Sequence, residues 1–98
     1  MYRQGDLLFV PIAAIPAVAT PVRDGVIARG EVTGHAHRLQ ISRGRTLLIA
    51  AGVIYIRAMN RVATVDHEEH GPIALPPGNY EVRRQREYEP AGWRNVSD

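Results

Sequence analysis

The sequence predicts an all-β fold, a small barrel or sandwich formed by one domain over residues 1–98. Three observations lead there. Short apolar stretches alternate with the two-residue period of strands. Turn signals rich in Gly, Pro, Asp and Asn recur about every eight to twelve residues. No segment sustains the 3.6-residue stripe of an amphipathic helix.

Taken in order, "DLLFVPI" (Asp6 to Ile12) follows a Gly5–Asp6 turn and reads as a first buried strand. Pro11, Pro16 and Pro21 then recur through "PIAAIPAVATPV". Proline has no amide to give a central strand, so this stretch is expected at an edge or in an extended loop. Asp24–Gly25 is a hairpin signal, and "VIARGEVTG" resumes β character with bends at Gly30 and Gly34. "HRLQIS" alternates about Leu39 and Ile41, and Arg43–Gly44 turns the chain. "RTLLIAAG" and "VIYIRA" form two strands split at Gly52. In the second, Val53, Tyr55 and Arg57 take one face and Ile54, Ile56 and Ala58 the other. Met59–Asn60 precedes the strand "RVATVDH". Gly71–Pro72 and Pro77–Gly78 bracket a short apolar stretch, and "NYEVRRQREYE" begins as a strand. The tail "PAGWRNVSD" reads as short and irregular, with one helical turn or a docked Trp93. Seven or eight short strands are expected.

A chain of 98 residues holds one core and buries a little over ~60% of its unfolded surface, so an ion or a partner copy would help it. No apolar run approaches ~18 residues, which argues against a membrane span. The start, "MYRQGDLLFVP", lacks the order of a signal peptide. Cysteine is absent, which removes disulfides, thiolate chemistry and cysteine-based zinc sites. A cytoplasmic protein is expected. All twelve basic residues are arginine, the codon usage of a GC-rich, bacterial genome. A net charge of +2 does not by itself imply nucleic acid.

The chemistry is concentrated in histidine. "GHAHR" holds His35 and His37, "HEEHGP" holds His67 and His70, and no histidine lies elsewhere. On a strand, i and i+2 share a face, about 7 Å apart at the base, within reach of one ion or substrate. The i,i+3 pair converges only if its segment turns. Imidazole is the commonest ligand for transition metals, so all four histidines are candidate ligands for a divalent ion: zinc, iron, nickel or manganese. Three would leave an open position and four would close the site. Glu31 and Asp66 stand beside the pairs, and such carboxylates commonly hold the far N–H of a ligating imidazole. Glu68 and Glu69 are adjacent and read as surface charges. Without a metal, two histidines are also suited to general acid–base cleavage of a phosphodiester, since their pKa lies near working pH.

"GEVTGHAHR" followed by "GPIALPPGNYE" resembles the two motifs of the cupins. Gly30, His35 and His37 approximate the first motif; Gly71, Pro76 and Gly78 approximate the second. The resemblance implies a small jelly-roll-like barrel holding a divalent ion through His35, His37 and Glu81. Ile41 and Ser42 stand where the family carries a glutamate, and Glu81 where it carries a histidine. The chain also resembles small uncharacterised bacterial or phage-type proteins that open with "RQGD" and close with "VRRQREY", a likeness that implies no activity.

Arg83, Arg84 and Arg86 interleave with Tyr80 and Tyr88, the mixture used for phosphate contact and base stacking. Glu81, Glu87 and Glu89 oppose phosphate there, and a charged edge strand that resists aggregation explains the pattern as well. The expectation is therefore a small β-protein with a histidine-rich metal site, with enzymatic action on a small molecule as one form of that reading. One alternative is an interaction module, homo-oligomeric or binding a protein partner or RNA through Arg83, Arg84, Arg86 and Tyr88. Another is a metal-free His–His nuclease.

Overall fold

The structure, a computed structural model, describes residues 1–29, 35–40 and 44–84. The described residues form ten strands: β1 (Tyr2–Gln4), β2 (Leu7–Ile12), β3 (Thr20–Val22), β4 (Val26–Arg29), β5 (Ala36–Leu39), β6 (Arg45–Ala50), β7 (Val53–Ala58), β8 (Ala63–Asp66), β9 (Ile73–Leu75) and β10 (Gly78–Arg84). They make two antiparallel sheets, one in the order β1-β2-β10-β7-β6-β3 and one in the order β4-β5-β8-β9. The all-β expectation holds. The two sheets do not close into a barrel, and the arrangement is that of a sandwich. Among the described residues no helix is long and apolar enough to cross a membrane.

Alternation explains how the core is filled. Leu47 pairs with Ile56 and Leu48 with Tyr55 across β6 and β7. Leu47 and Ile56 enter the main core with Leu7, Phe9, Ile27, Leu39, Val65, Leu75 and Tyr80. The opposite-facing Leu48 and Tyr55 join Ile15 in a smaller cluster on the outer face. The 13–19 segment, expected as proline-punctuated loop, covers that face through Ile15 and Ala19.

Pro11 lies within β2, opposite Tyr80 of β10. On the other side β1 pairs only with Leu7 to Phe9, so β2 is central in its first half and an edge in its second. A residue without an amide is accommodated there. Two hairpins turn in two residues. Gly5–Asp6 joins β1 to β2 with φ +59° at Gly5, and Ala51–Gly52 joins β6 to β7 with φ 49° and 79°. Both positive angles at the second turn are those of the hairpin loop that matches strand twist. The expected strand count was low because β1, β3 and β9 have three residues each, too few to show a period.

Candidate functional site

The site begins with β5. Ala36, His37 and Leu39 are buried and Arg38 is exposed. Ala36 packs inward, and Glu68 caps its backbone: the Ala36 N–H donates to Glu68 Oε1 at 2.8 Å, while Arg38 Nη1 grips the same carboxylate at 3.1 Å. These contacts hold the Glu68 carboxyl below the usual carboxylate range, the Ala36 N–H acting most strongly. They also fasten the segment after β8 to the start of β5, bringing the two histidine pairs together.

The second pair converges because its own imidazole makes the turn. The N–H groups of Glu69 and His70 donate to His67 Nδ1 at 3.1 and 3.2 Å. Ring centres are then 4.3 Å apart for His37 and His67, 4.8 Å for His67 and His70, and 5.7 Å for His35 and His67. His37 and His70 stand 6.5 Å apart. The four imidazoles thus share one cluster.

Hydrogen bonding assigns the tautomers of two rings. Gln4, at the end of β1, is 3% exposed. Its amide nitrogen donates to the carbonyls of Val65 and Gly71, both at 2.9 Å. Its oxygen is therefore left to accept, and His37 Nδ1–H donates to it at 2.9 Å. The lone pair of His37 lies on Nε2. His67 is the reverse: Nδ1 accepts, so in the neutral ring Nε2 carries the proton. His35 Nδ1 makes an ion-pair contact with Glu69 Oε1 at 3.2 Å.

His37 is 1% exposed, and its pKa is lowered to about 4. Burial is the main cause, and the neighbouring His67 adds to it against the pull of Asp6. Asp6, in the β1–β2 turn, is equally enclosed, 3% exposed. Its Oδ2 accepts from Arg84 Nη1 of β10 at 2.9 Å, and its Oδ1 lies 3.7 Å from His37 Nε2. Gly5 completes the wall: a Cβ there would stand 2.9 Å from both Cδ2 and Nε2 of His70 and 3.3 Å from Cε1 of His37.

The other anticipated residues lie elsewhere. Asp66 accepts from Gln40 Nε2 at 2.7 Å on the surface. Glu69, read from the sequence as a surface charge, is the carboxylate against His35. Glu81, the third ligand implied by the cupin resemblance, accepts from Arg83 Nε at 2.6 Å. Arg83 and Arg84, offered for phosphate, both hold carboxylates of this chain. Glu31, Arg86, Tyr88 and Trp93 lie outside the described residues. Arg84 also borders a cavity of about 410 Å³ between the sheets, with Leu7, Ile27, Ile54 and Val82 on its walls.

Gln4, Gly5 and Asp6 went unassigned by sequence reasoning, although "RQGD" was noted and the glycine marked a turn. A glutamine and an aspartate on either side of the turn glycine are the signal: once enclosed, such polar groups demand partners, and histidines are among the partners here. Among the described residues no three His, Asp or Glu side chains are already spaced to hold a metal ion. No curated protein and no solved structure matches the chain. A family model does match, and it is not a cupin one: it covers residues 3–85, and the chain belongs to the family described as Domain of unknown function (DUF8820).

Proposed function

We propose that this is a divalent-metal-binding β-sandwich protein whose ion is held by the imidazole cluster. The observation that carries the reading is the spacing of the rings. With metal–nitrogen bonds of ~2.1 Å, imidazole centres around a tetrahedral ion stand ~5 Å apart. His37 and His70 stand 6.5 Å apart, a little wide of that value, with His67 walling the space between them at 4.3 and 4.8 Å. Small side-chain rotations toward the middle would bring the rings to that spacing.

Two rings have the support typical of ligands. At His37 the Gln4 oxygen accepts from Nδ1 and directs Nε2 toward the ion, and at His35 the Glu69 carboxylate lies 3.2 Å from Nδ1. His70, against the bare backbone of Gly5, is the third ligand. His67 fits less well through Nε2, because its Nδ1 accepts two backbone N–H groups. Its part is to hold the turn and wall the site. A divalent ion bound there would act as a Lewis acid on a small coordinated molecule. Gln4 and Glu69 would orient the rings, and burial would limit water. A metal-free acid–base pair is the weaker reading, since His37 is too enclosed to meet a substrate.

The test is calorimetric titration of chelator-treated protein with zinc, manganese, nickel and ferrous iron, alongside elemental analysis of the protein as purified. One ion per chain is expected, with affinity lost in His37→Ala and retained in a variant of an exposed residue such as Val18→Thr. Absence of metal in the purified protein together with no uptake of any of the four ions would end the reading.

A further inference from the structure

We infer that Asp6 is an oxygen ligand of the same ion, making the site a mixed imidazole–carboxylate centre. The inference rests on the metal reading above. Asp6 Oδ1 and His37 Nε2 are both buried and, among the described residues, neither has a hydrogen-bond partner. The Gln4 contact places the His37 proton on Nδ1, so both facing atoms are acceptors, 3.7 Å apart. Two enclosed acceptors so placed repel each other unless something positive lies between them. In a tetrahedral shell with ~2.1 Å bonds, neighbouring donor atoms stand ~3.4 Å apart. The observed separation needs only a small adjustment to meet that.

Arg84 supplies the rest of the geometry. By holding Oδ2 at 2.9 Å it fixes the carboxylate plane and leaves Oδ1 toward His37. The guanidinium pairs with Oδ2 and so does not compete for the ligating oxygen. A carboxylate beside two or three imidazoles favours zinc, iron or manganese over the cuprous ion, which prefers soft thiolate and thioether donors. Asp6 is thus distinguished from Asp66, the aspartate nearer in sequence to a histidine, whose carboxylate is occupied by Gln40.

The experiment titrates the metal-free full chain with zinc by calorimetry and with cobalt by visible absorption, in the natural sequence, Asp6→Asn and Asp66→Asn. Asp6→Asn is expected to weaken zinc binding by about tenfold or more and to shift the cobalt bands. Asp66→Asn is expected to change neither. Where loss of the Asp6–Arg84 ion pair unfolds Asp6→Asn, the double change Asp6→Asn with Arg84→Met removes both charges together and is expected to give the same loss. Unchanged affinity in the Asp6 variants would overturn the inference while leaving the metal reading intact. So would weakened affinity with unshifted cobalt bands, which would make Asp6 a positioning residue. If the natural sequence bound neither ion, both proposals would fall.

Discussion

A side chain at position 5 would collide with one imidazole and crowd a second. Gly5 has φ +59°, and a Cβ there would press on the end of the His70 ring at 2.9 Å. Gly5→Ala is therefore expected to cost about 2 kcal/mol, from the left-handed backbone and the displaced ring together. Urea unfolding measures the loss, and the His70 imidazole resonances report the displacement. His37 makes a second prediction. Its folded pKa of about 4 lies below the ordinary value of 6.5, so the unfolded chain takes up a proton there first. Stability of the metal-free protein is therefore full above pH 6.5 and falls as the pH descends toward 4, by about 3 kcal/mol in all. Urea midpoints at stepped pH in chelator test this, with His37→Asn expected to flatten the slope. At this scale the histidines were legible, because paired spacing at strand ends survives in one dimension. Gln4 was not. Its partners Val65 and Gly71 are more than half the chain away, and no local pattern announces a buried amide.

Strands were legible wherever both faces carried enough residues to show alternation. β7 has six, and its two faces separate into the main core and the outer cluster along the alternation. β1 has only three residues and exposes two, so it carries no such signature. Yet it delivers Gln4. The hairpin between β6 and β7 offers a direct test of turn chemistry. Ala51 holds φ 49° in the first position of a loop that favours Asn–Gly. Ala51→Asn is expected to stabilise the protein by about 0.5–1 kcal/mol, read as a higher urea midpoint with unchanged slope. The arginines of β10 illustrate the opposite limit. Their charges were plain in the sequence, but their carboxylate partners, Glu81 two residues away and Asp6 at the other end of the described chain, emerge only from packing.

For the molecule as a whole, an all-β class followed from strand length and turn spacing, while the choice between barrel and sandwich did not. Closure depends on whether edge strands β1 and β3, or β4 and β9, find each other, which is a property of sheet twist rather than of any one segment. If the imidazole cluster takes up zinc only when assembled, binding is linked to global stability. Free zinc at about a hundred times its dissociation constant is expected to add about 3 kcal/mol, visible as a rise in Tm that chelator reverses. A chain of this size has little stability to spare, so that increment would be a large fraction of the total.

The pairing of β2 with β10 carries a consequence for biosynthesis. The first long strand emerges from the ribosome early, but the neighbour that completes its ladder is the last strand described, and Arg84 at its end anchors Asp6. Until that strand is released, Leu7 to Ile12 present an unpaired apolar edge to whatever else is nearby. The imidazole centre therefore matures only once β10 has been released, and a product truncated before residue 78 would be a target for chaperones and proteases rather than a smaller working protein.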